Sequence, residues 1–196
     1  MIRLFSYLCK HFKNKNTKNE VDTFHIYMDA LDVDALVCSV CGAKHSLSLF
    51  ASYERHLVTY HDGVALDHVI TISRYSCSSC KHTHAILPSV IIPYMSFSFH
   101  FTMSIIYDYL VHKFTSVEAM CDHYGIAITT FYRIFKRFKE HKKLWLGLME
   151  DFVTSNLEFV VTINRLSCLD KEAFIYHFFS TAALSFLQQN VKFKIT

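Results

Sequence analysis

Apolar residues recur along this chain with two different periods, and the change from one to the other divides it. Phe131, Ile134, Phe135 and Phe138 fall at i, i+3, i+4 and i+7, a buried helical stripe. Thr129, Thr130, Tyr132, Arg133, Lys136, Arg137 and Lys139 make the opposite face polar and basic. Just upstream, Val117, Met120 and Cys121 share one face of a shorter helix, which Tyr124-Gly125 ends where a left-handed backbone is easiest for Gly. Thr115 is predicted to cap that helix, with Glu118 reaching back in a capping box. The second helix has Ala127 where a capping hydroxyl is usual, so either it starts late with Thr129 as cap or one amide is left to water or phosphate. Residues 97–114, with Ile105, Ile106, Tyr109 and Leu110, complete a three-helix unit.

Earlier in the chain the period is two. Residues 46–61 alternate through Leu47, Leu49, Ala51 and Tyr53, Asp62-Gly63 is a strong turn dipeptide, and residues 69–75 are β-branched and alternating. Together they predict a hairpin. Phe24, Tyr27, Met28, Leu31 and Leu36 form a short helical or turn-rich lead into it, and Pro88 and Pro93 hold the stretch after it extended. At the start, Ile2, Phe5, Leu8, Cys9 and Phe12 lie on one helical face, read as a docking helix with an interfacial membrane anchor as its rival. A solvated KNKNTKNE linker follows. At the other end, residues 144–159 and 170–189 are helical by pattern, the latter capped by Asp170. Phe174, Ile175, Phe178, Phe179, Ala182, Leu184 and Phe186 give it a wide apolar arc that either the rest of the chain or a second copy must cover. The expected organisation is an N-terminal helix and linker (1–20), a ribbon domain (21–94), a helical domain (95–143) and a C-terminal helical region (144–196).

Composition adds bounds rather than identity. A chain of 196 residues that is 52% hydrophobic, with 18 Phe, 11 Tyr, 4 Gly and 2 Pro, has a substantial core and little room for flexible linkers. The formal charge of +3 matters less than its placement, with cations gathered over 133–143 and Asp29, Asp32 and Asp34 near the front. No apolar run is long enough for a membrane helix, and the first residues make a poor signal peptide. A soluble, cytoplasmic protein without membrane partners is expected.

The sharpest chemical signal is a pair of CxxC motifs, Cys38-Ser-Val-Cys41 and Cys77-Ser-Ser-Cys80. Two residues between cysteines let a tight knuckle aim both sulfurs at one ion, and two such pairs predict a four-thiolate structural zinc site at the ends of the hairpin. Lys81 stands where Gly often follows the second knuckle, as Gly42 follows the first. Disulfides fit poorly with seven cysteines and no secretory signal, and a redox CxxC lacks its strand and long helix. His45, His82 or His84 replacing one thiolate is the live rival. Cys9, Cys121 and Cys168 stand alone, and His100, His112 and His123 read as surface or internally satisfied residues. The fold class is therefore α+β: a small four-cysteine zinc ribbon followed by a mainly α unit and C-terminal helices.

Residues 115–143 resemble the helix-turn-helix of DNA-binding proteins, from the turn at Gly125 through Ile126 and Thr130 to Phe131-Tyr132-Arg133. The run RYSCSSCKHTHAILPSVIIPY, followed by SVEAMCDHYGIAITTFYRIFKRF, resembles a bacterial family of uncharacterised zinc-ribbon and helix-turn-helix proteins similar to the front part of insertion-sequence transposases. The resemblance covers about residues 38–143. It implies a nucleoid-associated protein that binds double-stranded DNA on a mobile element or its relic. In that reading Thr129, Thr130, Tyr132 and Arg133 face bases, while Lys136 and Arg137 meet phosphates. Asp151, Glu158 and Asp170 are too scattered to form a transposase carboxylate cluster, so a non-enzymatic DNA-binding protein is expected, with a homodimer through the C-terminal helices as an option. The rival is a zinc-ribbon adaptor that binds another protein, its basic helix serving only solubility.

Overall fold

The computed structural model describes residues 2–4, 20–88, 91–149, 155–165, 173–179 and 185–188. The fold is mixed α+β. Three strands, β2 (Leu47–His61), β3 (Val64–Cys77) and β4 (Thr83–Pro88), form a small antiparallel sheet, and β1 (Ile2–Leu4) adds to it parallel to β4, in the order β1-β4-β3-β2. Helix α1 (Glu20–Asp29) precedes the sheet, and α2 (Phe99–Leu110), α3 (Val117–Tyr124), α4 (Ile128–Met149) and α5 (Asn156–Arg165) follow it. Residues 2–4, expected to open an N-terminal helix, are a strand instead. A helix of about twelve residues is marginal in water without tertiary support, whereas the open edge of β4 offers unpaired backbone groups, with Ile2 opposite Ile86 and Leu4 opposite Pro88. Phe5, Leu8, Cys9 and Phe12 lie outside the described residues.

The hairpin forms as its turn predicts. Asp62 and Gly63 both have positive φ, 49° and 82°, which suits the right-handed twist of the flanking strands, and His61 pairs with Val64 across the two-residue loop. The strands are longer than expected on the β3 side, because pairing starts at Val64 rather than near residue 69. The alternation at Leu49, Ala51 and Tyr53 does not mark the core: all three are exposed, and burial falls instead on Leu57, Ile70 and Ile72. A register shift falls between Leu49 and Ala51, and Phe24, Leu87 and Ile91 pack on Leu57, Ile70 and Ile72. The proline-bounded connector is itself a strand, Arg74 opposite Ala85 and Ser76 opposite Thr83, with Pro88 closing it where a donor is no longer needed.

The helical unit is held by caps and by one buried carboxylate. Ser98 caps α2 through Phe101 N–H, and Ser116, not Thr115, caps α3 through Ala119 N–H at 3.1 Å. The expected capping box is displaced by one residue, because Ser116 is the one that takes the extended backbone preceding Val117, and Glu118 sits one place early for the reciprocal bond. Gly125 ends α3 in the left-handed region, φ 63°. Its neighbour Ile126 donates to Cys121 O at 3.0 Å. Helix α4 does not start late. Its first carbonyl acceptor is Ala127, which bonds Thr130 N–H at 2.8 Å and has no side chain with which to cap. Asp108 on α2 accepts from Tyr124 Oη at 2.8 Å and Lys113 Nζ at 2.7 Å, tying the end of α3 to α2 in a paired, satisfied arrangement. The sheet is stitched to this unit, since Val58 N–H donates to Ser96 O, Ser98 N–H donates to Val58 O, and Tyr60 Oη lies 3.0 Å from His123 Nε2.

Phe131, Ile134, Phe135 and Phe138 are buried as their spacing predicts, and their core extends to Phe159, Phe174, Phe178 and Phe186. Residues 173–179 are helical, and Phe174, Ile175 and Phe178 are covered by this same chain, so they need no second copy; Ala182, Leu184 and Asp170 lie outside the described residues. The Asn156 end of α5 carries the reciprocal capping box, with Glu158 Oε2 accepting from Ser155 N–H and Ser155 Oγ from Glu158 N–H. Among the described residues no helix is long and apolar enough to cross a membrane. The C-terminal cover is pinned by His141, buried between Phe178 and Phe186, whose Nδ1 accepts the Leu187 amide at 2.8 Å.

Burial pushes the His141 imidazole down from its ordinary 6.5 to about 4. Its folded pKa lies below its unfolded one, so its stabilisation is complete above about pH 6.5 and is lost as pH falls from there toward 4. The difference amounts to about 3 kcal/mol. Urea unfolding across that range should show this acid-side loss, and His141→Gln, which cannot titrate, should flatten the slope.

Candidate metal centre and basic helix face

Each CxxC makes the same loop. After the first, Gly42 N–H donates to Cys38 O and Cys38 N–H to Ala43 O. After the second, Lys81 N–H donates to Cys77 O and Cys77 N–H to His82 O, all four at 2.9 Å. Closing such a loop needs a left-handed residue after the second cysteine. Gly42 supplies it freely at φ 74°, and Lys81 adopts it at φ 62° at a cost of about 1–2 kcal/mol. The hairpin then brings the loops together, because Leu47, just after the first, pairs directly with Cys77 in the second.

The outcome is one cluster. The sulfurs of Cys38, Cys41, Cys77 and Cys80 all lie within 4.8 Å of one another, with Cys38–Cys80 at 3.6 Å and Cys41–Cys77 at 3.7 Å. Those separations are far too long for a disulfide, whose bond is about 2.05 Å. They match a tetrahedron, in which metal–sulfur bonds of about 2.3 Å place the ligands roughly 3.8 Å apart. The four cysteines therefore form a site that could hold a metal ion. No other group of three or more potential ligands converges among the described residues.

The surroundings treat the sulfurs unequally. Ser46 Oγ lies 3.4 Å from Cys77 Sγ, and this hydrogen bond, with the Cys80 and Ser79 amides, pulls the Cys77 thiol down to about 5. The Cys41 amide draws Cys38 down as well. At Cys80 the His82 amide favours the thiolate, but burial and the hydrogen bonds shared with Cys41, Cys38 and Cys77 outweigh it and push that thiol up to about 12. Cys41 is raised in the same way against the Ala43 amide. Four thiolates this close repel one another, so without a cation some must keep their protons; a bound metal supplies the charge that releases them.

The histidines weighed as ligands separate clearly. His45 and His82 are exposed, while His84 is buried with Nε2 3.3 Å from Cys38 Sγ and Nδ1 3.4 Å from Ser39 Oγ. His84 thus contacts a sulfur rather than joining the cluster, and burial lowers its pKa, favouring the neutral ring. Such a contact orients a ligand and tunes its basicity. Ser46 plays the same part at Cys77. Nothing in the spacing of the chain marks Ser46, since only strand pairing brings it to that sulfur.

The basic face of α4 is assembled as its period requires. Thr129, Tyr132, Arg133 and Lys136 are exposed along one side, opposite Phe131, Ile134, Phe135 and Phe138. Thr130 is half-buried and its Oγ1 accepts from Arg133 Nη2 at 3.1 Å, while Arg137 is half-buried with Nη1 4.0 Å from Met95 Sδ. Burial, then the charge of Arg133, lowers the Arg137 pKa. Two further cations of the run have partners within the chain. Lys139 stacks its ammonium over the Phe135 ring at 4.6 Å, and Lys142 is buried with Nζ donating to Asn156 Oδ1 at 2.8 Å. Among the scattered carboxylates, Glu158 serves as a capping residue, and Asp151 lies outside the described residues.

Residues 38–133, just under half of the chain, match the family profile described as a domain of unknown function, DUF6431. The match begins at Cys38, the first residue of the first CxxC, and ends on α4. No curated protein and no solved structure matches the chain significantly.

Replacing Cys77 by Ser should abolish stoichiometric metal in the purified protein and lower Tm by on the order of 10 °C. Loss of a metal site is among the few single changes worth more than about 4 kcal/mol, and each kcal/mol is roughly 2–4 °C in a chain of this size. Elemental analysis and a thermal melt with and without a strong chelator measure both. Metal-free protein with an unchanged melt would remove the site.

Proposed function

We propose that this protein binds double-stranded DNA, using α3 and α4 as a helix-turn-helix and the cysteine cluster as a structural zinc site. The observation that carries the reading is the exposed face of α4, where Thr129, Tyr132, Arg133 and Lys136 stand clear of the core immediately after the Gly125 turn. A helix that enters the major groove reads bases with its first turns and meets phosphates with later cations, and the order of these side chains follows that rule. The uncapped start at Ala127 also suits a phosphate, which could accept from the free amides of the first turn.

Zinc is the metal this reading assigns, because four thiolates from two knuckles make a closed tetrahedral shell. A closed shell leaves no position for a reacting water, so the ion would hold the ribbon together and perform no catalysis. The protein is accordingly proposed to be non-enzymatic and accessory to, or derived from, a transposase of a bacterial mobile element, in line with the wording of residues 74–94 and 116–138. A second reading, a protein-binding adaptor, is favoured by one observation. The hairpin exposes Leu49 and Phe50 near its base and Val64, Leu66 and Val69 toward its turn, apolar side chains that a partner could cover.

Salt separates the two. Binding through phosphates should weaken steeply between 50 and 200 mM salt, as counterion release requires. With duplexes selected from a random pool, Arg133→Ala should lower affinity by about 1–3 kcal/mol and relax base preference, while Lys136→Ala should weaken all sequences alike and reduce the salt slope by about 1. A flat salt response, or full affinity in both variants, would favour the adaptor.

A further inference from the structure

The sheet and the loop after it border a groove of about 580 Å³. Its floor follows from strand register. Arg74 on β3 pairs with Ala51 on one side and Ala85 on the other, and Tyr53 and Arg55 follow Ala51 at two-residue steps, so all of these share one face of the sheet. Tyr94 and Met95 form the opposite wall.

The lining sets two arginines and two tyrosines among Ala85, Leu87, Pro93 and Met95. Arg55 donates to the carbonyls of Ile92 and Met95, which holds its guanidinium in place, and Arg74 Nη2 donates to Thr83 Oγ1 at 2.7 Å. Among the described residues no acidic side chain lines the groove, and neither arginine pairs with a carboxylate. Two fixed guanidiniums in a cleft without counter-charge focus a positive potential there, which selects for an anion. Tyr94 projects its ring into solvent, 61% exposed, from a left-handed backbone at φ 60° that a bulky residue rarely adopts. The volume exceeds what a single phosphate would fill, and paired arginines with flanking aromatic rings suit a strand of repeating phosphates and sugars.

We infer that this groove takes the phosphodiester backbone of the DNA that α4 reads, extending the contact from the helix onto the sheet. Continuity argues for that occupant. Met95 lines the groove, and its sulfur lies 4.0 Å from Arg137 on the flank of the basic face. The arginines of the groove carry no base information, so they add affinity and register rather than sequence preference.

The inference rests on the DNA reading, and its test separates the two. Full-length, metal-loaded protein is titrated with a mixed-sequence DNA duplex over a salt series, comparing wild type, Arg74→Ala, Arg74→Lys, Tyr94→Ala and Arg133→Ala, with thermal melts alongside. Arg74→Ala should weaken binding about 3- to 10-fold and reduce the salt slope by about 1, with base preference on selected duplexes unchanged. Arg74→Lys should recover most of the loss, and Tyr94→Ala, altering an exposed ring outside the core, should weaken binding without moving the melt. If Arg133→Ala weakens binding while Arg74→Ala and Tyr94→Ala match wild type, the groove is not part of the DNA site and the reading of α4 stands. If no variant binds differently from wild type, both fall. Should Arg74→Ala lower the melt, Tyr94→Ala decides: wild-type affinity and salt slope in that variant overturn the groove assignment.

Discussion

Convergence of four sulfurs is the constraint on which the front of the molecule depends. The β2–β3 hairpin carries few buried side chains near its base, where Leu49, Phe50 and Tyr53 face solvent, so hydrophobic burial alone holds that end weakly. Two knuckles of the same backbone design supply what the core does not, each closing on its own carbonyls and presenting its thiols to a common point. Ser46 and His84 reinforce the arrangement from outside by contacting Cys77 and Cys38. A metal ion held by the four sulfurs would add its binding free energy to the folding of this end.

The far end of the same hairpin is held in the ordinary way. Leu57, Ile70 and Ile72 are fully buried under α1 and the segment after β4, and Val58 and Tyr60 reach the helical core. The hairpin thus joins the cysteine cluster at one end to the α2–α4 unit at the other. Backbone bonds between Val58 and the Ser96 and Ser98 positions fix that junction, so the orientation of α4 is set by main-chain geometry rather than by flexible side chains. Buried Asp108 performs the equivalent task between α2 and α3, and its two donors leave it paired in a region where an isolated charge would be costly.

Charge on α4 is sorted by depth. The early cations stay in solvent, Arg137 is partly withdrawn toward Met95, and Lys142 is inside, bonded to Asn156. A run of basic residues in the sequence therefore overstates the cationic surface. What remains is compact, and its flank at Arg137 touches Met95, which also lines the groove over Arg74.

Local chemistry made several features legible in the amino-acid order alone. Asp62-Gly63 fixes a hairpin because both residues tolerate positive φ, Gly125 ends α3 for the same reason, and the Phe131–Phe138 spacing can bury only one face of a helix. The CxxC pairs announce a shared ligand site because two-residue spacing has few other uses. Contacts between distant segments were not legible. The pairing of Ile2–Leu4 with β4, where the start of a helix was expected, was not legible, because an open strand edge is a tertiary fact. Ser116 displaced Thr115 as cap by a one-residue choice that the chain entering α3 decides. The burial of Lys142, the outward turn of Leu49 and the sulfur contacts of Ser46 and His84 depend on what packs across from them. Periodicity tells which residues share a side, and only the assembled fold determines whether that side meets protein or water.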